Sequence, residues 1–133
     1  MRLGGGRRSQ DHVDGPRTST HAIAVCGDEL IAAGVMLSSE TDSEIVAHLL
    51  ARALPEVDQD LAAAMQSVCA RLEGAFTLVA MDPNDPSLVV GARRNSPLVV
   101  GLGEGENFLA SDVAAFVDHT RNALELGQDQ IVV

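Results

Sequence analysis

Between Ala75 and Ser111 the chain passes through four short apolar runs, AFTLVAM (75–81), SLVVGAR (87–93), PLVVG (97–101) and NFLAS (107–111), parted only by DPNDP, RNS and LGEGE. That spacing constrains the fold more than any other feature. The runs are rich in Val, Leu, Phe and Thr, which suit a pleated, half-buried surface, and the linkers carry the Pro, Asn and Gly that turn a chain. A parallel crossover needs a dozen or more residues, so neighbours this close pair antiparallel. DVAAFVDHT then reads as a short helix and QDQIVV as a last strand.

Upstream of Gly74 the period is helical. Thr41-x-x-Glu44 fits a capping box, and Ile45, Leu49 and Ala53, with Val46 and Leu50 beside them, form one apolar face up to Pro55. A second helix runs from about Asp58 to Glu73, with Leu61, Met65, Val68 and Leu72 on one face and Gly74 as C-cap. Nearer the start, HAIAVCG (21–27) reads as a short strand, DELIAAG as one or two helical turns ending at Gly34, and GVMLS as a second extended stretch. Residues 1 to 20 hold Gly4, Gly5, Gly6 and four arginines among Ser, Thr and Asp, without apolar periodicity, and predict a disordered tail. The expected architecture is α+β, two helices covering one face of an antiparallel meander.

At 133 residues, with 46% hydrophobic but only 2% aromatic side chains, the chain is one domain whose core must come from Val, Leu, Ile, Ala and three Phe. Formal net charge is −10; residues 21 to 133 hold five arginines and seventeen acidic residues, so that part carries −12. Such a surface repels phosphate backbones and anionic lipid, and there is no aromatic platform for stacked bases, so neither nucleic acid nor membrane is an expected partner. Every basic residue is Arg, which removes phosphate-loop lysines, Schiff bases and lysine general bases. No apolar h-region follows MRLGGGRRSQ and no run reaches a membrane span, so the chain reads as cytoplasmic.

Single residues add little chemistry by spacing alone. Cys26 and Cys69 lie in unlike contexts and support neither a disulfide framework nor a CxxC metal site; Cys26 reads as a buried strand thiol. His12, His21, His48 and His119 form no HxxxH or HxH pair, so no metal is expected. GLGEGENF lacks the third correctly spaced glycine of a dinucleotide loop and precedes a strand, so it reads as a hairpin turn. Arg93 and Arg94 read as solvated surface charges, and Ser111-Asp112 as an N-cap and first-turn acid.

Together, SETDSE, LEGAFTLV, ARRNSPLVVGLGEGENFLASD and the closing GQD resemble, in order, the glutaminase domain of the glutamine–fructose-6-phosphate aminotransferases, or glucosamine-6-phosphate synthases. The resemblance covers about residues 21 to 133 as a partial class II glutamine amidotransferase domain. It implies the αββα sandwich of N-terminal-nucleophile hydrolases, L-glutamine as ligand, no cofactor, and homodimers of the intact family members. It also implies a role for Asp42, which matches the family aspartate that binds the α-ammonium of glutamine, with Thr41 and Glu44 as structural cap residues.

The resemblance also implies what this stretch does without. The family nucleophile is an N-terminal cysteine whose own amine is the base, its oxyanion donors lie in His-Asn-Gly-Ile-Ile-Glu-Asn, and its carboxylate clamp in Arg-Trp-Ala-Thr-His. Here the chain begins MRLGGG, has no Trp, and Cys26 is internal. The expectation is a C-terminal half of the glutaminase fold without the sugar-isomerising domains, not competent by itself, or else a non-catalytic remnant or interaction module of the same half-fold. Either way its strands should present apolar faces and open edges.

Overall fold

The computed structural model describes residues 19–133, with side chains described from residue 23. Three α-helices come first: α1 (Ser19–Ala32), α2 (Asp42–Ala53) and, after a 3-10 turn at Leu54–Val57, α3 (Leu61–Arg71). Six strands follow: β1 (Phe76–Asp82), β2 (Asp85–Arg94), β3 (Val99–Leu102), β4 (Asn107–Ala110), β5 (Ala123–Glu125) and β6 (Ile131–Val132), with a 3-10 turn at Val113–Ala115 between β4 and β5. Residues 1–18 of the expected tail lie outside the described residues, while Ser19 and Thr20 already belong to α1.

The first element is a helix and not the strand that HAIAVCG suggested. Ile23, Cys26, Gly27 and Leu30 turn inward at i, i+3, i+4 and i+7, while Asp28 and Glu29 stay exposed, so the helical period holds over a window longer than the five apolar residues that read as extended. Cys26 is thus a buried helix thiol. The helix closes in a Schellman turn: Gly34 donates to Ile31 O at 2.9 Å, Val35 donates to Leu30 O at 3.0 Å, and Gly34 takes φ 85°. GVMLS enters no sheet and simply connects α1 to α2.

The other two helices bury the faces their spacing marks. Val46, Leu49, Leu50 and Ala53 of α2, and Leu61, Ala64, Met65 and Val68 of α3, pack into one core with Leu72. Pro55 does not end the first of these runs abruptly; it sits in the first turn of the 3-10 segment, where a missing N–H costs nothing. Asp58 and Gln59 then take left-handed φ of 53° and 64°, and α3 starts at Leu61 with Asp60 as N-cap, accepting from Ala62 N at 2.9 Å and Ala63 N at 3.0 Å. Gly74 is left-handed at φ 88°, but in the turn into β1, beyond the C-cap at Leu72.

The strands form two antiparallel sheets, β1-β2-β6 and β4-β3-β5, where the spacing of the runs alone suggested one meander and the family resemblance implied more than one sheet. In the first, the hairpin registers Phe76 on Arg94 through Met81 on Val89, and β6 adds to β2 at Gly91 and Ala92. Phe76, Leu78, Ala80, Leu88, Val90 and Ala92 face the helices. Asn95, with φ 50°, and Pro97 turn the chain out of this sheet, and β3 begins a second one, flanked by β4 and by β5, a strand absent from the sequence reading.

Gly91 shows how the sheets stack. A Cβ there would come 3.0 Å from Leu98 and Val132 and 3.5 Å from Leu109, so the second sheet lies against the face of the first opposite the helices. On the far side of the second sheet Phe116 lies on Gly101, where a Cβ would meet its ring at 2.7 Å. DVAAFVDHT therefore yields only the three-residue 3-10 turn, its chain bent to seat Phe116. The layers run helices, sheet, sheet. No helix among the described residues is long and apolar enough to cross a membrane.

Candidate functional site

Asp42 is the first residue of α2 and is exposed. A carboxylate there faces the positive end of the helix and is free to meet a cationic group from outside. What fixes its surroundings is Glu44. Ser38 donates to Glu44 Oε1 from its amide at 2.7 Å and its hydroxyl at 2.8 Å, and Ser39 donates to Oε2 from its amide at 2.6 Å and also from its hydroxyl. These bonds hold the Glu44 carboxyl down from 4.5 to about 2, the Ser38 amide having the largest effect, followed by the Ser39 and Ser38 hydroxyls.

The expected reciprocal capping box does not form. Thr41 occupies the N-cap position, with φ −87° and ψ 138°, but its hydroxyl bonds Ser39 Oγ at 2.9 Å and no helix amide. Glu44 reaches past Thr41 to the two serines, so the corner from Ser38 to Thr41 is folded onto the first turn of α2. The hydrogen bonds of this corner run among Ser38, Ser39, Thr41 and Glu44 and pass Asp42 by. His48, one turn on, lies 3.5 Å from Glu44 Oε1.

Hollows on the described surface include the following. One of about 530 Å³ lies between α3 and the β2–β6 edge, lined by Gln66, Cys69, Arg94 and Asp129. A second, of about 220 Å³, lies among the helices at Glu29, Arg52 and Arg71. The third, of about 550 Å³, separates α2 from β1. Asp42 lines none of these, although its neighbour Ser43 lines the third.

Neither thiol is placed for nucleophilic chemistry. Cys26 is buried in the helical core, and its nitrogen is a peptide amide inside α1. Burial pushes the Cys69 thiol up, against the opposing pull of Arg94, so its reactive thiolate is disfavoured. No group of three metal-binding side chains occurs among the described residues. His119 packs against Phe108, ring centroids 5.3 Å apart, while His12 and the His21 side chain lie outside what is described.

Arg93 and Arg94 are not the solvated charges that the sequence suggested. Arg93 donates to Glu125 Oε1 at 3.3 Å, Leu126 O at 2.7 Å and Gln128 Oε1 at 3.1 Å, with 14% of its side chain exposed. Arg94 pairs with Asp129, donates to Leu72 O and lies 5.2 Å from the Phe76 ring centroid. Gln128 also exchanges bonds with Asn95. The closing GQD is therefore an internal clamp onto β2. GLGEGENF is the β3–β4 turn, closed by Gly103 N donating to Glu106 O at 3.0 Å, with Gly105 at φ 77°. At the other candidate cap Asp112, and not Ser111, is the N-cap, accepting from Ala114 N at 2.8 Å.

No family model matches the chain. Curated proteins do. The chain is similar to glutamine–fructose-6-phosphate aminotransferases (isomerizing). It is 67% identical over 104 residues to the one from Streptomyces coelicolor, a match spanning 78% of this chain and 17% of that protein. The aminotransferase of Leifsonia xyli is 60% identical over 110 residues, spanning 83% of the chain and 18% of the relative. That of Mycobacterium tuberculosis H37Rv is 53% identical over 113 residues, 84% of the chain and again 18% of the relative. The chain thus corresponds to less than a fifth of the aminotransferases it matches.

Proposed function

We propose that this chain is a part of the glutaminase domain of a glutamine–fructose-6-phosphate aminotransferase, and that Asp42 receives the α-ammonium of L-glutamine. The observation that carries the reading is 67% identity over 104 residues to a protein of that name. Two features of the molecule support the finer assignment. The helix–sheet–sheet layering is compatible with three of the four layers of an αββα N-terminal-nucleophile sandwich. The exposed carboxylate of Asp42 stands at a helix start whose loop is tied down by Glu44, which leaves Asp42 available for an ammonium group.

In the longer protein the reaction converts L-glutamine and D-fructose 6-phosphate to D-glucosamine 6-phosphate and L-glutamate, a step toward aminosugars. A thiolate attacks the side-chain amide, ammonia leaves, and water releases glutamate from the acyl-enzyme. This chain by itself does not turn glutamine over: Cys26 has a peptide nitrogen and a core position, and Cys69 is a half-buried helix residue whose thiol burial pushes up.

The test pairs turnover with binding. Purified chain incubated with L-glutamine should release no glutamate above background, while amide resonances of residues 38–43 shift on titration with L-glutamine. Asp42→Asn should weaken that binding about tenfold or more, and N-acetylglutamine, which lacks the ammonium, should not bind. Glutamate release that disappears in Cys26→Ala, or binding indifferent to Asp42→Asn, overturns the assignment.

A further inference from the structure

We infer that Glu44 is a positioning residue for the ammonium site, its carboxylate closing residues 38 to 44 into a ring that holds Asp42 ready for the α-ammonium of L-glutamine. This role rests on the reading of Asp42 as the ammonium acceptor. The connector from α1 to α2 has little else to hold it. Met36 is 89% exposed and Ser38 to Thr41 are all exposed. Among the described residues no backbone amide from Met36 to Glu40 donates to a backbone carbonyl. A stretch with so few buried contacts and backbone bonds keeps its shape only where side chains fix it.

Glu44 fixes it at four points, one serine to each oxygen. Oε1 accepts from the amide and hydroxyl of Ser38, and Oε2 from the amide and hydroxyl of Ser39. Only 15% of the Glu44 side chain is exposed, so the corner wraps around it. Asp42 lies inside the ring thus closed, at the first position of α2. Its own oxygens take no part in these bonds. The backbone is therefore held on both sides of Asp42 while its carboxylate stays free for a cation. A group fixed before its ligand arrives loses less freedom on binding, so Glu44 strengthens the site without touching glutamine.

The ring needs a carboxylate at position 44. A carboxylate accepts at both oxygens, whereas a carboxamide of the same shape has one oxygen, and its NH2 would face a serine amide, donor against donor. Glu44→Gln thus fills the same space and opens half of the ring. Ser38→Ala combined with Ser39→Ala opens less of it, since both amides remain.

A double-mutant cycle on the whole chain tests the role, with amide resonances followed during titration with L-glutamine and circular dichroism verifying each fold. Glu44→Gln should weaken binding about fivefold or more, the serine pair less, and Glu44→Gln added to Asp42→Asn should weaken it no further than Asp42→Asn alone. Asp60→Ala, which unties the start of α3 instead, should leave binding unchanged. A purely structural part for Glu44 would make the losses at 42 and 44 multiply. Multiplying losses, binding indifferent to both Glu44→Gln and the serine pair, or a loss in Asp60→Ala as large as in Glu44→Gln would each overturn the role of Glu44 and leave that of Asp42 standing. A wild type that ignores L-glutamine, or binding indifferent to Asp42→Asn, would overturn both.

Discussion

Two serine amides and two serine hydroxyls converge on one carboxylate at Glu44, and the consequence is a defined acid sensitivity. A carboxyl lowered from 4.5 to about 2 in the folded chain contributes stability that is fully present above about 4.5 and is lost as pH falls toward about 2. Glu44→Gln removes that pH-dependent part, so the melting temperature of the variant should fall less steeply than that of the wild type between pH 4.5 and 2. Parallel melting curves in that window would show that the serine bonds do not favour the ionised form. The acidic, hydroxyl-rich run before α2 announced a tied helix start. It did not announce which acid was tied to what, because Glu44 reaches back five and six residues and a capping box reaches three.

Helices α2 and α3 begin by different means, and substitution should separate them. Asp60→Ala removes an acceptor shared by two orphan amides and should cost about 0.5–2 kcal/mol, whereas Thr41→Ala removes a hydroxyl that bonds only Ser39 and should cost well under about 0.5 kcal/mol. Denaturant midpoints of the two variants read the difference directly. These helices were legible because four or more buried apolar residues recur on one face of each. The α1 region was not, since IAV fits a strand and a helix equally over so short a window, and only Leu30, further on, decides. β5 was invisible for another reason: Ala123, Leu124 and Glu125 are all exposed, and it is a strand only because β3 offers its backbone a ladder.

At the scale of the molecule, the helices and the first sheet share one core, with Met65, Ala64 and Val90 fully buried where they meet. Met65→Ala should cost about 2–5 kcal/mol, a large share of a small domain's stability, with the denaturant slope unchanged if the layers unfold together. Antiparallel pairing within the β1–β2 and β3–β4 hairpins followed from the linker lengths, but the division into two sheets turns on Asn95 and Pro97 and on the stacking over Gly91, and the return of β6 to β2 and of β5 to β3 is something that no local pattern reports. Likewise Asp42 was singled out by likeness to a family and not by spacing, and the roles of Arg93 and Arg94 depend on residues more than thirty positions away.

Those two arginines are adjacent on a strand, so they leave it on opposite sides, and both close on the segment from Glu125 to Asp129. The tail is gripped like a thread between two fingers. Exchanging side chains along it leaves one finger or the other in place, but adding or deleting a single residue within β2 reverses which side each guanidinium occupies and opens both at once. Variation in this part of the chain should therefore be found in letters and not in length.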